Sequence, residues 1–275
     1  MKAAYLDTSV YNRILDHPNY GLITKMLVDS FTSGQIEILF SINNFEEFCH
    51  TRNVGRRTKL FQLAYSVCCS HKFTLSHEDL IKKEFKGNGP VKTIYSTFDF
   101  EDKFQKAIKG TLFQRISDKT LEEMKKRKRC FQKFEKNIQQ KLAPHWQAYK
   151  NISFDAFYHD CLQNNEARAM LKDICIRAIG NSRRCNQDLL ASNLQNLPGL
   201  CCLFKYECAS LYKQLLRNGK CTWGSGIDMT HSVFIGYCDI FLTEDRGFMD
   251  IVRLFNRSNL ECLSLDEFVS SYGTN

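Results

Sequence analysis

The chain has 275 residues, and 43% of them are apolar or aromatic, which supports a sizeable buried core and excludes global disorder. No apolar run reaches the roughly 18 residues that span a bilayer, and no signal peptide is evident, so we expect a cytoplasmic protein without a membrane partner. The thirteen cysteines are odd in number and contain no C-x-x-C pair, which favours reduced thiols over a disulfide scaffold.

The formal net charge of +8 is concentrated in one segment. Residues 101–150 contain fourteen Lys and Arg against six Asp and Glu, an excess of eight that equals the net charge of the chain. A basic stripe of this kind is typical of a protein that binds a phosphate backbone, although a solvated helix face is the alternative reading. The candidate nucleic-acid-binding residues are Lys125, Lys126, Arg127, Lys128, Arg129 and Lys133.

The first part of the chain alternates strand and helix patterns. Residues 2–6 predict a buried strand, and residues 7–9 supply N-cap chemistry for a helix. A second helix is predicted from about 20 to 33, and a second strand from 36 to 42. We expect Asn43 or Asn44 to cap the next helix, which would place Glu47 in its first turn.

The middle of the chain predicts an α-helical insertion. A helix is predicted over 56–69, and the glycines and proline between 85 and 97 then break the pattern. Beyond this break, residues 100–143 and 153–195 are strongly helical in pattern. We therefore expect a helical subdomain or lid.

The last part of the chain again alternates predicted helices and strands. Residues 200–216 predict a long apolar helix, and Asp228 begins a short helix that includes His231. Residues 239–243 predict a strand, and 244–247 its exit turn. Strands that alternate with helices predict an α/β fold with a parallel sheet.

Acidic residues stand where the predicted strands end. Asp7 follows the first strand, Glu46 and Glu47 follow the second, and Asp245 follows the strand at 239–243. The carboxyl ends of parallel strands are where an open α/β sheet binds its ligand. Clustered carboxylates need a cation to stay ionised, and oxygen donors favour Mg²⁺ or Mn²⁺. Asp239 precedes its strand, about 15 Å or more from Asp245, and is left out of this set.

The order of these motifs resembles the PIN-domain nucleases. The matching pieces are Leu6-Asp7-Thr8-Ser9, Ser41 to Phe48, Asp228 to His231, and Cys238 to Asp245. The resemblance implies a PIN-like three-layer α/β/α sandwich with a central parallel sheet. Its core would comprise residues 1–85 and 200–275, with a basic helical insertion at 86–199 that has no counterpart. The metal-binding and catalytic set that it implies is Asp7, Glu47, Asp228 and Asp245, with Glu46 as the alternative to Glu47.

The resemblance further implies a nuclease that depends on Mg²⁺ or Mn²⁺, with RNA favoured over DNA by family analogy alone. A protein partner or inhibitor stays open. Residues expected to orient the carboxylates or to meet the substrate are Thr8, Ser9, His231, Thr243 and Arg246. For each of these, capping or an ordinary structural role is the alternative reading.

Two other functions stay open at this stage. One is a structure-specific DNA nuclease of the flap type, although the extra paired acids of that group are not evident. The other is a non-catalytic PIN-like module that binds nucleic acid through the basic segment. A dehalogenase-like phosphatase is disfavoured, because Ser9 stands where that class requires a second Asp.

Overall fold

The structure is a computed structural model that describes residues 1–109, 151–179, 186–216 and 226–273. The basic residues from Lys125 to Lys133, predicted to bind nucleic acid, lie outside these ranges. Within them the chain forms an α/β fold around one sheet of five parallel strands. The strands are β1 (Lys2–Leu6), β2 (Ile36–Ser41), β3 (Phe73–Thr74), β4 (Ile240–Leu242) and β5 (Glu261–Leu263).

The strand order is β3-β2-β1-β4-β5, with β1 at the centre. In the register of the sheet, Ala4 of β1 pairs with Ile38 on one side and with Ile240 on the other. Strands β2 and β3 lie on one side of β1, and β4 and β5 lie on the other. The direction of the sheet therefore reverses between β1 and β4, and in open α/β sheets ligands bind outside the carboxyl ends of the strands at such a reversal.

Helices connect and cover the strands. In the first half they are α1 (Thr8–Asp16), α2 (Tyr20–Thr32), α3 (Ile42–Cys49), α4 (Val54–Val67), α5 (His77–Gly87) and α6 (Phe100–Ile108). In the second half they are α7 (Phe154–Gln163), α8 (Asn165–Ile179), α9 (Gln187–Asn193), α10 (Pro198–Leu216), α11 (Gly226–Ile235), α12 (Arg246–Arg253) and α13 (Leu265–Tyr272). None of the helices in the described ranges is long and apolar enough to cross a membrane.

The sheet separates two hydrophobic clusters. Ala4 and Leu6 of β1 belong to one cluster, and Tyr5 between them belongs to the other, because successive side chains of a strand point to opposite faces. Helices α1 to α4, α6 and α13 close the Leu6 side, and α5 with α7 to α12 close the Tyr5 side. The predicted α/β class with a central parallel sheet is confirmed, and this arrangement is compatible with three layers.

The described helices of the predicted insertion contribute to these same clusters. Phe104 of α6 is buried on the Leu6 side, while Phe157 of α7 and Leu171 of α8 are buried with Tyr5. These parts of the interval 86–199 therefore cover the sheet itself. The cysteines within the described ranges are not joined by disulfides.

A buried carboxylate joins three helices on the Tyr5 side. Glu84 of α5 accepts hydrogen bonds from the backbone N–H of Gly199 at 2.6 Å and of Leu200 at 3.0 Å, and so caps the amino end of α10. The Tyr237 hydroxyl, just after α11, also donates to Glu84. Burial raises the pKa of Glu84, and the three hydrogen bonds act against that rise. Gly236 completes the contact, since a Cβ there would lie 2.5 Å from the Pro198 carbonyl carbon.

Two local expectations were wrong. The cap of α3 is Ser41, whose side chain accepts from the Asn44 N–H, because β2 ends one residue earlier than predicted. Glu47 consequently lies in the second turn of α3 and not in its first. The segment expected to be only an exit turn contains the start of α12, with Asp245 as its cap.

Candidate metal centre

Three side chains from distant parts of the chain meet at the carboxyl edge of the sheet. Asp7 directly follows β1, Glu47 lies on the helix after β2, and His231 lies on the helix before β4. One ligand atom of each lies within 4.8 Å of the others. The cluster therefore lies at the reversal between β1 and β4, where the topology predicts a ligand site.

The Asp7 carboxylate is held by three donors. The Thr8 N–H donates to Oδ1 at 2.7 Å, and the hydroxyls of Ser9 and Thr243 donate to Oδ2 at 2.6 Å and 3.0 Å. The Ser9 oxygen also accepts from the Glu244 N–H at 3.0 Å, which fixes its orientation. A carboxylate offers about four acceptor positions, and the described donors occupy three of them. Asp7, only 6% exposed, therefore retains one oxygen position for a cation.

Glu47, which is partly buried, and the completely buried His231 contact each other and this group. Nε2 of His231 and a carboxylate oxygen of Glu47 are hydrogen-bonded. Burial acts to raise the pKa of Glu47, but the charge and hydrogen bond of His231, with a further hydrogen bond from Thr8, lower it below its usual range. Glu47 is therefore ionised at neutral pH and available as an oxygen donor.

The other nitrogen of His231 faces a buried tyrosine. Nδ1 lies 2.5 Å from the Tyr5 hydroxyl, which in turn lies 2.9 Å from Oγ of Ser41. All three side chains are completely buried. Burial raises the pKa of Tyr5 well above its ordinary value, so this hydroxyl keeps its proton. His231 is thus held at both ring nitrogens.

The donor set fits a divalent cation. An ion with bonds of about 2.1 Å separates neighbouring donors by about 3 Å and opposite donors by about 4.2 Å, which is within the observed 4.8 Å. Two carboxylates and one imidazole offer oxygen and nitrogen to the same ion. Binding would release the Nε2 proton of His231 and replace its hydrogen bond to Glu47 with two metal–ligand bonds.

Two further residues, Asp228 and Asp245, were predicted for the metal set. Asp228 lies in the first turn of α11, three residues before His231, and its side chain is outside the part of the chain that the structure describes. Asp245 is exposed, and its Oδ1 accepts from the Phe248 N–H at 3.0 Å as the cap of α12. Its own N–H donates to Thr243 Oγ1 at 3.1 Å, so it borders the site without joining the three-residue cluster.

Several smaller expectations can also be compared with the geometry. Of the two candidate glutamates, Glu47 joins the three-residue cluster, and Glu46 is exposed on the same helix. Asp239 accepts from the Ala3 N–H at 2.9 Å, which places it at the amino end of the strands as expected. Arg246 is exposed at the start of α12. The residues predicted to bond the site carboxylates do so in the structure, namely Thr8, Ser9 and Thr243.

A second histidine extends the same edge of the sheet and was missed from the sequence. His77 begins α5 just after β3, and its Nδ1 lies 3.0 Å from Nδ2 of Asn43. The same Asn43 amide donates to Thr230 Oγ1 at 3.0 Å, next to His231. Burial, with the nearby charge of His231, lowers the pKa of His77 to about 4. The available signal was its position one residue after a helix-capping serine at a strand end.

No protein-family model, curated protein or solved structure matches this chain.

Proposed function

We propose that the chain is a PIN-like nuclease that depends on a divalent cation, Mg²⁺ or Mn²⁺, and cleaves RNA internally. The observation that carries the proposal is the convergence of Asp7, Glu47 and His231 at the carboxyl edge between β1 and β4. A bound divalent cation supplies an activated water and neutralises charge on the phosphodiester as it is attacked. The proposal assigns the role of a further carboxylate ligand to Asp228, on the basis of the resemblance.

The residues around the cluster orient its oxygens. Ser9 and Thr243 hold Oδ2 of Asp7, and the Thr8 N–H holds Oδ1, so the carboxylate has one fixed direction before any ligand arrives. Loss of such a hydrogen bond to a metal ligand typically lowers metal affinity or activity by about 10- to 100-fold. Ser9 is committed to Asp7 and to the Glu244 N–H, which favours an orienting role over that of a covalent nucleophile.

Substrate binding is assigned to cationic side chains that are not members of the cluster. The segment from Lys125 to Lys133 supplies the largest local positive charge, and phosphate backbones are bound chiefly by such charge. Arg246 is exposed one residue after Asp245, beside the site, and would meet a scissile phosphate directly. A metal-dependent nuclease requires both kinds of group: acidic side chains that bind the cation and basic side chains that bind the nucleic acid.

The test is cleavage of labelled single-stranded RNA and DNA with Mg²⁺, Mn²⁺ or a chelator. The wild type is compared with Glu47→Gln and Asp228→Asn, and Glu46→Gln is the matched control because Glu46 is exposed beside Glu47 on the same helix. We expect cleavage of RNA that requires the cation, persists in Glu46→Gln, and falls at least about 100-fold in the other two variants. Thermal unfolding of each variant verifies that it is folded.

Other outcomes separate the alternatives. Cleavage that survives both the chelator and Glu47→Gln contradicts the proposal. Preferential cutting of branched or flapped DNA supports a structure-specific DNA nuclease instead. Salt-sensitive binding of either polymer without cleavage, under every cation, supports the non-catalytic binding module.

A further inference from the structure

The amide of Asn44 has only one orientation that satisfies its surroundings. Its Nδ2 donates to the Leu6 carbonyl oxygen at 3.1 Å, and its Oδ1 accepts from the Ser41 N–H at 3.1 Å. Both partners are backbone groups, whose roles as acceptor and donor cannot be exchanged. Oδ1 of Asn44 is therefore an acceptor toward Ser41.

This orientation fixes the direction of the hydrogen bonds that lead to the site. Oγ of Ser41 lies 2.8 Å from Oδ1 of Asn44 and must donate its single hydrogen there. Ser41 can then only accept from the Tyr5 hydroxyl, 2.9 Å away. Because Tyr5 has one hydrogen and gives it to Ser41, its oxygen accepts from Nδ1 of His231 at 2.5 Å.

The opposite direction leaves an unfavourable contact. If Tyr5 donated to Nδ1 of His231, Ser41 would have to donate to Tyr5. The lone pairs of Ser41 Oγ and Asn44 Oδ1 would then face each other at 2.8 Å. All of these groups are completely buried, so water cannot relieve that repulsion.

The consequence concerns the nitrogen that faces the cluster. With the Nδ1 proton committed to Tyr5, Nε2 is the ring nitrogen that can give up the proton it donates to Glu47 and bind a cation among Asp7 and Glu47. Histidines that bind metals are usually held in this way, with the second ring nitrogen donating to a fixed acceptor. Mg²⁺ prefers an all-oxygen environment, whereas imidazole nitrogen suits first-row transition ions, and Mn²⁺ accepts both kinds of donor.

We propose that Tyr5 is a positioning residue that keeps the proton of His231 on Nδ1, so that Nε2 binds the cation and the site takes Mn²⁺ in preference to Mg²⁺. This inference rests on the proposed function for the presence of a cation at the cluster. It adds the nitrogen ligand, the residue that prepares it and the resulting choice of ion.

The experiment measures cation binding directly, without substrate. Mn²⁺ binding to the full chain is followed by electron paramagnetic resonance, and Mg²⁺ binding by calorimetry and by competition with Mn²⁺. The variants are Tyr5→Phe, Ser41→Ala and His231→Gln. Tyr11→Phe is the matched control, because Tyr11 is an equally buried tyrosine whose hydroxyl contacts Cys68 and not the site.

We expect the wild type to bind Mn²⁺ at least about 10-fold more tightly than Mg²⁺. His231→Gln should abolish this preference, and Tyr5→Phe should weaken Mn²⁺ binding by about 10- to 100-fold while changing Mg²⁺ binding much less. Tyr11→Phe should leave both affinities unchanged. Ser41→Ala removes the acceptor of the Tyr5 hydroxyl, one hydrogen bond farther from the His231 ring, and should also reduce the preference for Mn²⁺ over Mg²⁺. This second variant keeps the test valid if Tyr5→Phe does not fold.

A second measurement distinguishes positioning from general support of the fold. Nitrogen-15 NMR of the histidine rings reports which nitrogen carries the proton, with His231→Gln used for assignment. Before a cation is added, Nδ1 of His231 in the wild type should carry the proton donated to Tyr5 while Nε2 carries the one donated to Glu47, and in Tyr5→Phe Nδ1 should lose its proton while Nε2 keeps its own. A merely structural role of Tyr5 would not change this signature.

Equal affinities for Mn²⁺ and Mg²⁺, an unchanged preference in Tyr5→Phe, or an Nδ1 that lacks a proton in the wild type would each overturn the inference. Absence of binding of either ion would overturn it together with the metal site. A selective, Tyr5-dependent Mn²⁺ site in a protein that cuts neither RNA nor DNA would reject the nuclease function and leave the inference standing.

Discussion

The hydroxyl of Thr243 donates a hydrogen bond of 3.0 Å to Oδ2 of Asp7, from the end of β4 to the end of the neighbouring strand β1. Oγ1 of Thr243 also accepts a hydrogen bond from the Asp245 N–H at 3.1 Å, and the Thr243 side chain is completely buried. One threonine therefore connects a proposed metal ligand to the cap of the next helix. This makes it a sensitive position from which to test the site without altering a carboxylate.

Thr243→Val removes this hydroxyl and keeps the shape of the side chain. We expect unfolding free energy to fall by about 1 to 2 kcal/mol, because Asp7 and the Asp245 amide lose a buried partner. Mn²⁺ affinity should fall about 10-fold or more, because the carboxylate is no longer held. Urea denaturation and Mn²⁺ titration measure the two effects. Thr74→Val is the control, since Thr74 is equally buried at the end of β3. An unchanged Mn²⁺ affinity in Thr243→Val would contradict the role of Thr243 in orienting Asp7.

Gly236→Ala should be strongly destabilising. The added Cβ would lie 2.5 Å and 2.6 Å from the carbonyl carbon and oxygen of Pro198, which are backbone atoms that cannot move aside cheaply. We expect a loss of more than about 2 kcal/mol in urea denaturation. Gly21→Ala is the matched control in α2, where nothing lies within 4 Å of the added atom, and it should stabilise the protein by about 0.5 to 1 kcal/mol. Similar effects at both sites would rule out the close contact between α10 and α11.

His77 should make the protein less stable in acid. Its pKa in the folded protein is about 4, below the ordinary 6.5, so the unfolded chain binds a proton that the folded chain resists. The stabilising contribution is complete above pH 6.5 and is lost as the pH falls toward 4. His77→Gln keeps a hydrogen-bond acceptor for Asn43. It should reduce the decrease in unfolding free energy between pH 6.5 and pH 4 by an amount on the order of 1 to 3 kcal/mol. Urea denaturation at several pH values measures it, and His159→Gln, at an exposed histidine, should leave the slope unchanged.

The basic segment should control the salt dependence of nucleic-acid binding. Replacement of Lys125, Lys126, Arg127, Lys128 and Arg129 with Gln should weaken RNA binding and lower the slope of log affinity against log salt by up to about 3.5, or roughly 0.7 for each phosphate contact on a single strand. Fluorescence anisotropy at several salt concentrations measures both quantities. The control variant changes Lys125, Lys126 and Lys128 to Arg, which keeps the charge, and an unchanged slope in the Gln variant would reject phosphate contact by this segment.

Strands β1, β2 and β4 and the position of Asp7 could be predicted from local pattern, whereas the two-residue strand β3 was not predicted. An apolar run that stops at Asp7 predicts both a strand and a cap, and both are present. The cap of α3 was assigned to Asn43 or Asn44 because Ser41 fitted the strand equally well. Serine and asparagine share the same capping chemistry, so the boundary was decided by the register of β2 with β1.

The residues of the site were harder to predict than the strands, because their roles depend on tertiary contacts. Asp245 was placed among the metal ligands from its motif, yet a carboxylate at the start of a helix is equally suited to capping, and it caps α12. His231 was given only a supporting role, because its approach to Glu47 requires α11 to cross beside α3. Tyr5 gave no signal at all, since an aromatic residue in a strand predicts core packing. Only the alternation of β1 places its hydroxyl on the side of the sheet where His231 lies.

The central place of β1 also determines when the sheet can be completed as the chain leaves the ribosome. β1 pairs early with β2, but its other edge waits for β4, and the contact between Asp7 and Thr243 joins residues 236 positions apart. Until β4 arrives, that edge exposes unpaired backbone groups to other chains, and such long-range pairing is slow to form. We therefore expect the nascent protein to need protection by chaperones over most of its synthesis, and the edge that holds Asp7, Glu47 and His231 to form late in folding.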